Sequence, residues 1–133
     1  MTPEDRAALV ALKDAVVVGD DAAFRRANRA VFSTPCQDIT LQLREGRALH
    51  AYKGSTDAAL ALLGAVLPET EYRLHHFPGK KVTATLWGTH KGRDGMRWHD
   101  FKDGSWNADA PTPARALLLA TLSALIEQEA RDG

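Results

Sequence analysis

The sequence predicts an α+β fold with a mainly antiparallel sheet, in the element order ααββαβββα. Three observations predict it. A C-terminal stretch is apolar at helical spacing, a central block alternates in period two between glycine-bearing turns, and the other segments open on helix caps and close on glycine or proline. Short turns cannot join parallel neighbours, so the strands pair antiparallel. Helices before and after such a sheet cover one or both of its faces. The chain has 133 residues and no internal repeat, low-complexity tract or linker, which predicts one domain over residues 1–133.

The last helix is the strongest element. Thr112 caps it, and Pro113 occupies the first helical position, where a missing N–H costs nothing. Leu118, Leu122 and Leu125 recur on one face, while Leu117, Leu119 and Ala124 make the helix apolar nearly all round. It therefore belongs against a sheet or a buried layer, which it covers. Ala116, Ala120 and Ala124 permit close approach.

At the N-terminus, Thr2-Pro3-Glu4-Asp5 starts a helix with core positions Leu9, Leu12 and Val16, closed by Gly19. Asp20 or Asp21 caps a second helix reaching about Phe32, with Ala23, Phe24, Ala27 and Val31 inside and Arg25, Arg26 and Arg29 outside. Ser33-Thr34-Pro35 ends it. Ile39, Leu41 and Leu43 alternate with Thr40, Gln42 and Arg44, which predicts a half-buried strand. Glu45-Gly46 reads as a turn and Ala48–Tyr52 as a returning strand. Ser55 caps a third helix with an inner face of Leu60, Leu63 and Leu67, stopped by Pro68.

Three strands follow. The first places Tyr72, Leu74 and His76 on one face. After the turn Pro78-Gly79-Lys80, the second places Val82, Ala84 and Leu86 opposite Thr83, Thr85 and Trp87, which predicts cover on both faces. The third spans Met96–Lys102 after a tip at Gly92–Gly95, and Asp103-Gly104 turns the chain toward Trp106 and the last helix.

The formal charge is zero, from 17 basic and 17 acidic residues, but the charge is segregated. Between Arg73 and Lys102 seven basic residues face only Asp94 and Asp100, so this segment is about +5 by formal count and the rest is equally negative. Lys80, Lys81, Lys91, Arg93 and Arg97 cluster at its turns and strand ends, with Trp87 and Trp98 between them. Cations attract phosphate or carboxylate, and aromatic faces stack on bases, so Lys80, Lys81, Trp87, Lys91, Arg93 and Arg97 are the candidate binding residues. Arg25, Arg26 and Arg29 extend the patch if the second helix packs nearby. The alternative is a solvated face with its tryptophans in the core, and zero net charge is unlike a dedicated nucleic-acid binder.

Catalytic and metal signatures are weak. His75 and His76 are adjacent on a strand and face opposite sides. His90 and His99 could meet across the hairpin, with Asp94 or Asp100, as a small His/Asp-dependent enzyme would need. There is no C-x-x-C, H-E-x-x-H or G-x-S-x-G spacing and no P-loop lysine after Gly92–Gly95. Cys36 has no partner base marked by spacing, and a single cysteine excludes an internal disulfide. No cofactor or metal is expected. The acidic first ten residues do not have the form of a secretion signal, no apolar run approaches a membrane span of about 20 residues, and the single cysteine fits a reducing compartment, so the expectation is a cytoplasmic protein with no membrane partner.

Two stretches carry a family likeness. They are YKGSTDAALALLGAVLP (residues 52–68), a capped aliphatic helix ending at proline, and WNADAPTPARALLLATLSAL (residues 106–125), where Thr-Pro opens a helix rich in Ala and Leu. In this order, with a hairpin between, they resemble the phage ABA sandwich domain family. The resemblance implies a layered α/β/α sandwich and an origin in phages or prophages, with no assigned activity and no functional residue to carry over. The long basic hairpin at residues 78–102 departs from the family pattern. The expectation is a phage or prophage accessory protein acting as a non-enzymatic binding module, one that modulates or inhibits a host factor such as a defence nuclease. Its partner would be a host or phage protein with an acidic surface. The alternatives are a nucleic-acid-binding protein using residues 73–102, the small enzyme above, and a self-associating part recognisable by an exposed apolar helix face and a homodimer.

Overall fold

The computed structural model describes residues 3–32, 39–67, 70–76, 81–91, 97–99 and 105–132. Over these described residues it is an α+β fold of five helices and one sheet: α1 (Pro3–Val18), α2 (Asp21–Phe32), α3 (Ile39–Tyr52), α4 (Thr56–Val66), β1 (Thr70–His76), β2 (Val82–Lys91), β3 (Arg97–His99), β4 (Ser105–Ala110) and α5 (Pro113–Asp132). The order ααααββββα replaces the expected ααββαβββα. Among the described residues no helix is long and apolar enough to cross a membrane.

The caps act as their residue types require. Asp20 Oδ1 accepts from the N–H groups of Ala22 and Ala23 at 3.1 and 3.2 Å, Ser55 Oγ accepts from Ala58 N–H at 3.2 Å, and Thr112 Oγ1 accepts from Arg115 N–H at 3.2 Å. Gly19, at φ 81°, ends α1 by donating to the Ala15 carbonyl at 2.9 Å.

The largest correction is α3. The alternation from Ile39 to Arg44 reads equally as a strand, but the residues from Leu41 to Tyr52 contain no β-branched side chain and are mostly good helix formers. Ala48, Ala51 and Tyr52 are buried at helical spacing, so the two expected strands and the Glu45-Gly46 turn are one helix. α3 closes with Gly54 at φ 116°. Ser55 N–H donates to the His50 carbonyl at 2.9 Å and Gly54 N–H to the Ala51 carbonyl at 3.0 Å, which satisfies the last turn before Ser55 caps α4.

Gly46 lies inside α3 without a positive φ, and a Cβ there meets nothing within 4 Å. Gly46→Ala is therefore expected to stabilise the fold by about 0.5–1 kcal/mol, read as a raised urea midpoint at unchanged slope.

β2 is the centre of the sheet. It pairs antiparallel with β1 (Thr70↔Gly88 to His76↔Val82), with β4 (Val82↔Ala110 to Trp87↔Ser105) and with β3 (Thr89↔His99 to Lys91↔Arg97). β4 forms where the sequence predicts only a connection to the last helix. The expected third strand is described only over Arg97–His99, and the expected turns at Pro78–Lys80, Gly92–Gly95 and Asp103-Gly104 lie outside the described residues, as do Ser33–Pro35 and Pro68.

Val82, Ala84, Leu86 and Ala110 are buried against α5. α5 packs on β2 and β4 on one side and on α1, α3 and α4 on the other. That position between two layers explains why Leu117, Leu118, Leu119, Leu122, Ala114, Ala116, Ala120 and Ala124 are all buried. Buried Thr121 satisfies its hydroxyl on the Leu117 carbonyl at 2.7 Å.

The other sheet face carries Arg73, His75, Asn107 and Asp109, all exposed, and half-buried Thr83 and Thr85. Directly opposed pairs hold it together: Thr83 Oγ1 donates to Asp109 Oδ1 at 2.6 Å and Thr85 Oγ1 to Asn107 Oδ1 at 2.8 Å. The expected cover on the second face is not seen at these positions. Among the described residues the layers run sheet, α5, then α1–α4, with a helix rather than the sheet in the middle.

Candidate functional site

Two cationic surfaces emerge, on different elements. The first is the ribbon formed by the end of β2 with β3. The ladder sets Lys91 directly opposite Arg97, with His90 opposite Trp98 and Thr89 opposite His99. Like charges placed opposite each other across a ladder weaken it by up to about 1 kcal/mol. Lys81, exposed, precedes the other end of β2. Trp87 lies between, in register with Glu71 on β1 and Ser105 on β4. Of the six candidate binding residues, Lys81, Trp87, Lys91 and Arg97 are thus strung along one strand pair. Lys80 and Arg93 lie outside the described residues.

The histidines do not converge on one pairing. His75 and His76 oppose Thr83 and Val82, on alternate faces of β1 as expected. His90 and His99 are one step out of register, so the expected meeting across the hairpin is not a direct pair. Cys36, Asp94 and Asp100 lie outside the described residues, and among those described no cluster of three His, Cys, Asp or Glu side chains could hold a metal ion.

The second surface is on the helical side. α2 packs on α1 and α3, whereas the sheet packs on α5, so Arg25, Arg26 and Arg29 are not an extension of the ribbon. They line a groove of about 440 Å³ with Asn28, Glu45 and Leu49. A smaller depression of about 180 Å³ adjoins it, sharing Arg25 and Leu49 and adding Asp21, Phe24, Tyr52, Lys53 and Arg115. Glu45 and Leu49 lie on α3, which the alternation from Ile39 assigns to strands and a turn, and Asn28 of α2 faces that helix, so the sequence alone does not bring the three together. The one available signal was the outward row Arg25, Arg26, Arg29.

Tyr52 anchors the floor of this region. Its ring stacks on Phe24 with centroids 4.2 Å apart and planes at 10°, and the Arg115 guanidinium carbon lies 4.3 Å from its centroid. Its hydroxyl donates to Asp21 Oδ1 at 2.6 Å, and Arg115 Nε donates to its carbonyl, a terminal acceptor of α3, at 2.9 Å. Burial, and then the Asp21 carboxylate as hydrogen-bond acceptor and charge, raise the phenol above its usual value of 10.0. A raised phenol pKa favours the neutral form in the folded state. The stability it contributes is therefore full below about pH 10 and is lost as the pH rises through the folded-state value. Tyr52→Phe is expected to flatten the alkaline limb of a stability–pH curve measured by urea unfolding.

Compared with protein-family models, curated proteins and solved structures, the chain matches none.

Proposed function

We propose that this chain is a non-enzymatic binding module that docks on the acidic surface of a protein partner through its β2–β3 ribbon. One observation carries the reading: Lys91 stands directly opposite Arg97 on a short ladder. Like charges opposed on a ladder disfavour the pairing, and a local rule broken in this way marks a site built for something other than folding. A carboxylate-rich surface would neutralise both charges, with Lys81 and the uncovered sheet face flanking them. The resemblance at residues 52–68 and 106–125 supports a phage or prophage accessory acting in the host cytoplasm, on a host factor such as a defence nuclease. Membership of the sandwich family is part of this proposal.

Nucleic acid is the second reading, favoured by Trp87 and Trp98 on the same strands as the cations. Capture from infected or lysogenic cells, with wild-type chain and with a Lys81→Glu, Lys91→Glu, Arg97→Glu variant, separates the two. The protein reading expects one partner retained by wild type and lost by the variant, without a shift of single-stranded oligonucleotides. Oligonucleotide binding that falls steeply with salt supports the second reading instead.

A further inference from the structure

We propose that the groove between α2 and α3 binds a small phosphate ester that carries a hydroxyl donor near its phosphate, as a sugar phosphate does. The inference is independent of the ribbon. It rests on two observations.

The first is charge. Arg25, Arg26 and Arg29 are exposed, line one groove, and make no hydrogen bond or ion pair among the described residues. Guanidinium forks match phosphate oxygens in pairs, so this row is arranged for an oxyanion. Glu45 lines the same groove and offsets one of the three charges, leaving an excess of two for a phosphate dianion.

The second is an orphaned acceptor. Asn28 is 3 % exposed and lines the groove. Its Nδ2 donates to the Glu45 carbonyl at 3.0 Å, while its Oδ1 is buried without a partner. Turning the amide over would set two acceptors against each other, so its orientation is dictated. Buried amide oxygens are nearly always satisfied, and this one awaits an O–H or N–H. A bare oxyanion offers the arginines what they need but gives Oδ1 nothing. A hydroxylated phosphate ester supplies both. Leu49 gives the sugar carbon frame an apolar wall, the Glu45 carboxylate offers a further acceptor, and about 440 Å³ falls in the small-molecule range.

The test is a titration of the isotope-labelled full chain with ribose 5-phosphate, methyl phosphate and ribose at about pH 8, where methyl phosphate is a dianion without an O–H, followed by backbone amide shifts. Ribose 5-phosphate is expected to saturate, moving residues 25–29 and 45–49, and to bind about tenfold tighter than methyl phosphate, with ribose alone inert. Arg26→Ala with Arg29→Ala, both exposed, should weaken it at least about tenfold. Asn28→Leu should weaken ribose 5-phosphate about fivefold and leave methyl phosphate unchanged. The methyl phosphate comparison makes the same point without altering the fold. Equal binding of ribose 5-phosphate and methyl phosphate, shifts outside α2 and α3, or perturbation of these residues by a single-stranded oligonucleotide or phosphoserine peptide but not by ribose 5-phosphate would overturn the proposal.

Discussion

Tyr52→Ala is expected to destabilise the fold by about 3–5 kcal/mol, the range for emptying a buried aromatic site. Tyr52 is 4 % exposed and joins three helices. Its ring is held between Phe24 of α2 and the Arg115 guanidinium of α5, and its hydroxyl reaches Asp21 of α2. Removing it opens a cavity, unstacks Phe24 and leaves Arg115 with only the Tyr52 carbonyl, which alanine retains. Against a typical total of about 5–15 kcal/mol this is a large fraction, and the melting temperature should fall by at least about 10 °C. Tyr52→Phe separates the contributions. It keeps both ring contacts and loses one hydrogen bond to a carboxylate, so about 1–2 kcal/mol is expected. A loss in Tyr52→Ala no larger than in Tyr52→Phe would show that the ring does not tie the helices together. Chemical denaturation of both variants at pH 7 reads the difference.

The second large effect is on binding. Reversing Lys81, Lys91 and Arg97 together is expected to weaken the partner complex by about a hundredfold, on the order of 3 kcal/mol. Rim charges act mainly on association rate, so most of the loss should appear in the on-rate and shrink as salt rises. The folded chain should suffer little. Replacing two like charges by two others leaves the Lys91–Arg97 repulsion in place, and Lys81 is exposed. Changing only Arg97 to Glu makes the pair opposite in sign. That variant should be slightly more stable than wild type yet bind more weakly, a split that a purely structural role for the ribbon would not produce.

Much of this architecture was legible in the residues. Thr112-Pro113 and Ser55 announce two helix starts and Asp20 a third, and the all-round apolar character of α5 predicts packing against a sheet or a buried layer, though not its place between two. β1 and β2 were readable because Leu74, Val82, Ala84 and Leu86 keep strict alternation. α3 was not, because Ile39 to Arg44 satisfies both periods and only packing of Ala48, Ala51 and Tyr52 decides between them. β4 was missed for the opposite reason. Asn107, Ala108 and Asp109 are poor strand formers, and pairing with β2 overrides their preference. The alternation of Trp106, Ala108 and Ala110 with Asn107 and Asp109 was its signal. The ribbon cations were visible as a charge excess, but the opposition of Lys91 to Arg97 is a matter of register. The α2–α3 groove depended on a helix read as strands, so only its arginines could be seen in advance.

Hydrogen exchange of the chain alone and in its complex tests the central claim most directly, because it locates the contact without assuming which residues make it. The ribbon account predicts slowed exchange at the backbone amides of residues 81–91 and 97–99 on complex formation, with α1 to α4 unchanged. Protection confined to the helical layer, with the ribbon exchanging as fast as in the free chain, would contradict it.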